Sequence, residues 1–187
     1  MKQMEYKEAR KLMKPGDVIA FGGNGMLSSL IQEVTDSHVS HVGIIMQTDV
    51  SDGIFVNQLI ESNGKKGGNT GVQVWRMSER VEEYDGNIWW LPMFVNFDRK
   101  KFVGFCLSQV GKKYDAPQAI GSAIDFLPDQ EEDLDKLYCS ELVVAALEDA
   151  GVLHDINASE MTPADVCTFD IYKAPVQLKG DSTEIYK

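Results

Sequence analysis

Residues 37–46 read SHVSHVGIIM, and this stretch decides the fold because it leads into the first of a series of β-strand patterns. Alternation along the strand puts His41 and Gly43 on one face and Val42 and Ile44 on the other. A glycine two residues after a histidine leaves space beside the imidazole, where another backbone or a substrate can approach closely. The strand is therefore a candidate site as well as a structural element.

Further strand patterns follow this stretch. They are rich in β-branched and aromatic residues and are separated by Gly, Asn and Asp, which predicts an antiparallel meander or a small barrel. Helical spacing of apolar residues predicts two short helices nearer the N-terminus. The predicted strands are 41–46, 53–61, 71–77 and 87–95, the predicted helices are 5–13 and 26–36, and an apolar run at 18–21 lies between the two helices.

The second half of the sequence is predominantly helical. Asp98 is a good N-cap for a helix that closes at Gly111. Residues 138–151, YCSELVVAALEDAG, form the clearest helix pattern in the chain. A further helix is expected around residues 117–124, and the tail is expected to add a short helix and one or two extended segments. The pattern predicts an α+β fold with the strands grouped first.

Length and charge limit the classes of function. The chain has 187 residues, a hydrophobic content of 43%, a formal charge of −11 and a pI near 4.7. One domain spanning 1–187 is expected, with a strand-rich half at about 15–97 and a helical half at about 98–168. The negative charge argues against nucleic acid or an anionic membrane as partner.

The sequence shows neither a signal-peptide pattern nor an apolar run long enough to cross a bilayer. A cytoplasmic location is expected, and export after loss of a leader, or a phage origin, stays open. The three cysteines are widely spaced and odd in number, which favours reduced thiols over a disulfide framework. Neither they nor the three histidines show zinc-ligand spacing, so we expect no metal.

Cys139 lies beside the start of the clearest helix. A thiol at a helix N-terminus meets unpaired backbone N–H groups and the positive end of the helix dipole, which favour the thiolate. The competing interpretation is that Cys139, three residues before Leu142 on the apolar stripe, is a small buried core residue. The helix pattern alone does not decide between them.

His41 provides a proton acceptor for such a thiol, since histidine titrates near neutral pH. His38 has the opposite strand parity and ranks lower. A third group usually accepts the other ring N–H of the base. Glu61, on the strand expected to pair with that of His41, is the first choice, and Asn57, which shares its parity, is the reserve.

The motifs as a set resemble the NlpC-type papain-like cysteine peptidases. One group of motifs is similar to the barrel half of those proteins, and a second group to their nucleophile half. The nucleophile half comes second here, an order that resembles the circularly permuted, YiiX-like branch of papain-like amidases. The motifs are PGDVIAF (15–21), SHVGII (40–45), LIES (59–62), GVQVW (71–75), GKKYD (111–115) and YCSELVVAALEDAG (138–151).

This resemblance implies a circularly permuted papain-like fold, a small antiparallel barrel or sheet against helices, with the nucleophile at a helix N-terminus. It makes Cys139 the nucleophile, His41 the base and then acid, and Glu61 the orienting group. Glu141 fits the permuted branch, whereas an acidic third member departs from the His, Asn or Gln of the ordinary branch. Tyr114, Tyr138 and Ser140 are implied substrate-cleft or oxyanion residues.

The implied activity is hydrolysis of an amide, peptide or ester through a thioester, with no cofactor. Alternatives are a lipid acyltransferase or thioesterase, as in the related lecithin:retinol acyltransferase-like proteins, and a catalytically silent binding module. An apolar cleft for lipid is one reading of the aromatic residues around Trp89 and Trp90, and core packing is the other. The polar segments 64–71 and 128–135 are lid candidates.

Overall fold

A computed structural model of the protein describes residues 1–66, 69–113, 138–182 and 184–187. The predicted α+β class is confirmed, because helices pack on a seven-stranded mixed sheet. The first six strands lie in the N-terminal half, as the sequence predicts. The strands are β1 (Lys2–Gln3), β2 (Val18–Gly23), β3 (His41–Ser51), β4 (Ile54–Lys66), β5 (Asn69–Arg76), β6 (Gly86–Leu91) and β7 (Val176–Lys179).

The sheet has the order β1-β7-β6-β2-β3-β4-β5, so β1 and β5 lie at its edges. Of the predicted barrel or sheet, the structure shows a sheet. Adjacent strands are antiparallel except for β1 and β7, which run parallel. The sequence did not predict this parallel pair. The strand that begins at His41 lies between β2 and β4, so its residues have a strand on each side.

The helices flank the sheet. Asp98 accepts bonds from the N–H groups of Lys100 and Lys101, at 2.9 and 3.1 Å, and is the N-cap that the sequence predicts. The first helix is shorter than predicted, and the expected helix at 117–124 lies outside the described residues. The helices are α1 (Tyr6–Ala9), α2 (Met26–Val34), α3 (Met77–Glu83), α4 (Arg99–Gln109), α5 (Cys139–Asp149) and α6 (Pro163–Val166), with a 3₁₀ turn at Ala158–Glu160.

Two apolar clusters cover the two faces of the sheet. On one face, β-strand side chains such as Val42 and Ile44 pack with α4 and α5. On the other face, Phe21 and Ile45 pack with Ala9 of α1 and Met77 of α3. The alternation predicted for the strand from His41 is therefore confirmed, and burial of both faces explains why the central strands are almost continuously apolar.

Asp17 of the PGD turn joins the start of β2 to the end of β6. Its buried carboxylate accepts bonds from the N–H groups of Lys14 and Met93, both at 2.9 Å, and from the indole N–H of Trp90 at 2.8 Å. Burial raises the pKa of Asp17 against the opposing effect of these donors. The turn thus fixes where the β2–β6 pair begins.

The aromatic residues of β6 belong to the core. Trp89 and Trp90 are 0% and 4% exposed and pack on opposite faces of the sheet. Of the two readings of these residues, the structure supports core packing. Among the described residues, no helix has the length and apolar character needed to cross a membrane.

Candidate active site

Cys139 is the first residue of α5, and its position at the helix start is the one predicted from the sequence. The preceding Tyr138 N–H donates to the carboxylate of Glu141 at 3.2 Å, which satisfies a backbone group at the helix entrance. The thiol of Cys139 is 4% exposed. At the start of an α-helix the first N–H groups generally lack an intrahelical acceptor, and Cys139 lies at that position.

Tyr138 and Ser140 anchor the start of α5 to the following segment. The Tyr138 hydroxyl lies 2.8 Å from the carbonyl oxygens of Ser159 and Met161, and the Ser140 hydroxyl donates to Met161 at 2.6 Å. Both side chains are buried, at 1% and 0% exposure. These hydroxyls hold the start of α5 in place, and Tyr114 lies outside the described residues.

His41 contacts groups on both sides of its imidazole ring. Its Nε2 lies 2.8 Å from Oε2 of Glu61, and the thiol of Cys139 is close enough to raise the pKa of the ring. Because Glu61 occupies Nε2, Nδ1 is the ring nitrogen left to face the thiol. The ring also packs on Phe21, with centroids 5.5 Å apart. A thiol, an imidazole and a carboxylate are thus connected in series.

Charge around the imidazole favours its protonated form. Burial is the largest influence on the pKa of His41 and lowers it, but the charges and hydrogen bonds of Cys139 and Glu61 outweigh burial and raise the pKa to about 9. An imidazolium at neutral pH is what a neighbouring thiolate requires as its counter-ion. His41 is therefore suited to carry a positive charge at neutral pH.

Gly43 makes room for Glu61 to reach the imidazole. A Cβ at Gly43 would lie 3.2 Å from the Cβ of Glu61, 3.1 Å from the carbonyl oxygen of Ile60 and 3.0 Å from Cδ1 of Leu59. The carboxylate side chain passes over this bare backbone position toward His41. The gap that the sequence predicts beside the imidazole is filled by the third member of the series.

Replacing Gly43 by alanine is therefore expected to disturb the site, because the added methyl of β3 would crowd Glu61 of β4. The added methyl meets backbone on β4, so we expect a loss of about 1–3 kcal/mol in the free energy of unfolding and slower alkylation of Cys139. Denaturant unfolding and labelling kinetics measure the two effects.

Gly104→Ala is the matched control, since a Cβ at this exposed position in α4 meets no atom within 4 Å. It should raise stability by about 0.5–1 kcal/mol and leave labelling unchanged. Wild-type labelling and stability in Gly43→Ala would contradict the role assigned to the bare backbone.

Arg80 completes the surroundings of Glu61, and the sequence analysis missed it. Its Nη2 donates to Oε2 at 3.1 Å, and its Nε lies 2.5 Å from Oε1 as an ion pair without aligned hydrogen-bond geometry. Arg80 and Glu61 are 3% and 0% exposed. Burial raises the pKa of Glu61, but the bonds and charges of His41 and Arg80 prevail and lower it to about 2.

A sequence signal for Arg80 exists. Met77, Val81 and Tyr84 recur at helical spacing, and Arg80 falls on the same stripe. The structure buries this stripe against the sheet, where the guanidinium carbon lies 5.0 Å from the ring centroid of Phe21 and 5.3 Å from that of Tyr84. A lone arginine on an apolar stripe predicts a buried acidic partner.

The other predicted candidates lie apart from this series. Asn57, the reserve for the third position, is buried and donates to the carbonyl oxygen of Arg10 at 3.3 Å and to the sulfur of Met13 at 2.9 Å. His38 precedes β3, and its backbone N–H donates to Ile185 at 2.7 Å. Glu61, not Asn57, therefore contacts His41.

The donor set at this site does not fit a bound metal ion. The carboxylate of Glu61 is occupied by Arg80 and His41, and a cation there would compete with a buried guanidinium. Across the part of the chain that the structure describes, no group of three or more His, Cys, Asp or Glu side chains is arranged to hold a metal.

Comparison with known proteins gives a fold relationship. No protein-family model and no curated protein matches the chain. Among solved structures, the fold is similar to the crystal structure of metalloprotein yiiX from Escherichia coli O157:H7, DUF1105, with 18% identity and a TM-score of 0.53. The match covers 73% of this chain and 66% of the other protein's length. The predicted YiiX-like fold is thus confirmed, and at this identity the likeness concerns the fold alone.

Proposed function

We propose that the protein is a cysteine-nucleophile hydrolase of amides or peptides, with Cys139, His41 and Glu61 as its triad. The observation that carries this proposal is the imidazole of His41, held between a carboxylate at 2.8 Å and a thiol at the start of a helix. The YiiX-like fold and the order of the motifs support a circularly permuted papain-like architecture. The substrate class is a carbonyl compound with an amine or alcohol leaving group.

The first half of the proposed reaction forms a thioester. The Cys139 thiolate attacks the carbonyl carbon, a C–S bond forms, and the backbone N–H of Cys139 with a neighbouring donor stabilises the oxyanion. When the tetrahedral intermediate collapses, the bond to the leaving group breaks, and the His41 imidazolium gives its proton to the departing nitrogen or oxygen.

The second half regenerates the enzyme. Neutral His41 takes a proton from water, and the hydroxide attacks the thioester carbon. The C–S bond breaks, a carboxylic acid leaves, and the thiolate–imidazolium pair is restored. Glu61 keeps Nε2 of the ring hydrogen-bonded throughout, so Nδ1 stays directed at the sulfur.

The test is the pH dependence of iodoacetamide labelling at each of the three cysteines, followed by peptide mass spectrometry. At about pH 6, well below the pKa of a free thiol, Cys139 is expected to label at least about ten-fold faster than Cys106 and Cys167. These two are internal controls, because burial raises the pKa of both thiols, that of Cys106 to about 12.

The matched variant is His41→Ala, which removes the imidazolium. It should lower the labelling rate of Cys139 at about pH 6 by at least about ten-fold. His154→Ala removes a histidine outside the site and should change nothing. Equal labelling of the three cysteines in the wild type, or fast labelling that persists in His41→Ala, would rule out the proposed ion pair.

A further inference from the structure

We propose that Arg80 is a positioning residue of this site, which clamps the Glu61 carboxylate so that one oxygen stays directed at His41. The inference rests on the proposed function and adds a fourth side chain to it. Arg80 approaches from α3, an element that contributes no other member of the series. Its contribution passes through Glu61, because the guanidinium contacts the Glu61 carboxylate, which in turn contacts the imidazole.

The contacts of Arg80 span both oxygens of the carboxylate. Nη2 lies 3.1 Å from Oε2 and Nε lies 2.5 Å from Oε1, so the planar guanidinium faces the carboxylate side-on. Oε2 also meets Nε2 of His41 at 2.8 Å. Partial rotation of the carboxylate about its terminal torsion would weaken both contacts with the guanidinium, so Arg80 keeps the carboxylate in the plane that directs one oxygen at the ring.

Arg80 is itself held in place by aromatic rings. Its guanidinium carbon lies 5.0 Å from the centroid of Phe21 and 5.3 Å from that of Tyr84, and these two rings are 4.9 Å apart. Phe21 also packs on His41 at 5.5 Å. One phenylalanine therefore contacts both ends of the Arg80–Glu61–His41 series, which restricts the guanidinium to the orientation that the carboxylate needs.

Charge balance is the second reason for an arginine at this position. The charged and titratable groups around Glu61 are Arg80 from α3, His41 from β3, Tyr84 just after α3 and, beyond the imidazole, Cys139 of α5. In the active form, a thiolate and a carboxylate face an imidazolium and a guanidinium, so charges alternate along the series. Without Arg80, a fully buried carboxylate would share one imidazolium with the thiolate.

The experiment compares Arg80→Gln in two backgrounds, the wild type and Glu61→Gln, using the pH profile of Cys139 labelling. In the wild-type background, loss of Arg80 leaves Glu61 easier to protonate, so the acidic limb of the profile should move upward by about one pH unit or more. In the Glu61→Gln background the same change should alter the labelling rate by less than about two-fold. Circular dichroism establishes that each variant is folded.

Arg80→Lys is the second variant, and it decides the question if Arg80→Gln does not fold. Lysine keeps the charge but offers a single nitrogen, so we expect an intermediate shift of the acidic limb, again dependent on Glu61. An unmoved acidic limb in a folded Arg80 variant, or an equal loss of labelling in both backgrounds, overturns the positioning role. If Cys139 of the wild type shows no fast labelling, the proposed function itself fails, and the two failures are thus distinguishable.

Discussion

Replacing Cys139 by alanine is expected to reduce the rate of hydrolysis of an activated ester or amide by about 10³-fold or more. Alanine has no nucleophilic atom with which to form the thioester of the proposed mechanism. The helix start is otherwise unchanged: Tyr138 and Ser140 keep their bonds to the Ser159–Met161 segment. The wild-type stability should therefore be nearly retained. Release of p-nitrophenol from a panel of acyl esters, and of p-nitroaniline from acyl anilides, measures the loss.

Cys167→Ala is the control for this prediction, since its thiol bonds only to the carbonyl oxygen of Pro163 among the contacts described, at 3.3 Å. It should retain wild-type turnover on every substrate that the wild type cleaves. The triad assignment fails if Cys139→Ala keeps more than about a tenth of the wild-type rate, and an alcohol or amine that captures the acyl group faster than water would identify a transferase instead.

Replacing Glu61 by alanine is expected to have the largest effect on stability, about 3–5 kcal/mol at neutral pH, because it leaves the guanidinium of Arg80 buried without its partner. Arg80 is 3% exposed and lies beside two aromatic rings, so its guanidinium is largely shielded from solvent. Urea unfolding followed by tryptophan fluorescence measures the change, with Trp89 and Trp90 in the core as probes.

The pH dependence of this effect has a definite sign. The pKa of Glu61 falls to about 2 in the folded protein, below its ordinary value of 4.5, so its stabilisation is fully present above about pH 4.5 and is lost as the pH falls through about 2. The stability difference between wild type and Glu61→Gln should therefore shrink with acid. A difference that stays constant from neutral pH down to about pH 2 contradicts the ion-paired carboxylate.

The control for Glu61→Ala removes both charges at once. Glu61→Leu combined with Arg80→Met replaces the ion pair by apolar side chains of similar size and should recover most of the lost stability while leaving Cys139 labelling slow. Stability and reactivity are thereby separated. A double variant as unstable as Glu61→Ala would show that packing around α3, rather than charge, holds this region together.

Much of this arrangement could be predicted from local sequence pattern. Strand alternation places His41 and Gly43 on the same face of β3. Because consecutive strands pair, β4 places Glu61 beside them on that face. The contact of 2.8 Å between the two side chains confirms that prediction of proximity. The catalytic role of either residue stays a proposal, because position alone does not establish chemistry.

The features that were missed depend on tertiary contacts. Helix α3 has only seven residues, of which only Met77 and Val81 are apolar, and its pattern runs on directly from β5. Its stability therefore comes from packing of Met77 and Arg80 on the sheet rather than from local propensity. The parallel β1–β7 pairing involves Lys2 and Gln3 near the N-terminus and Val176 and Gln177 near the C-terminus. Two residues in each strand are too few for a sequence periodicity to appear.

The order of the site residues along the chain has a consequence for protein synthesis. His41, Glu61 and Arg80 belong to elements that leave the ribosome well before α5, whose first residue is Cys139. The sheet can thus begin to fold around His41 and its partners while Cys139 is still untranslated. Under the proposed function, the site gains its nucleophile after its other members, so reactivity toward neighbouring polypeptides would arise only once most of the chain has been made.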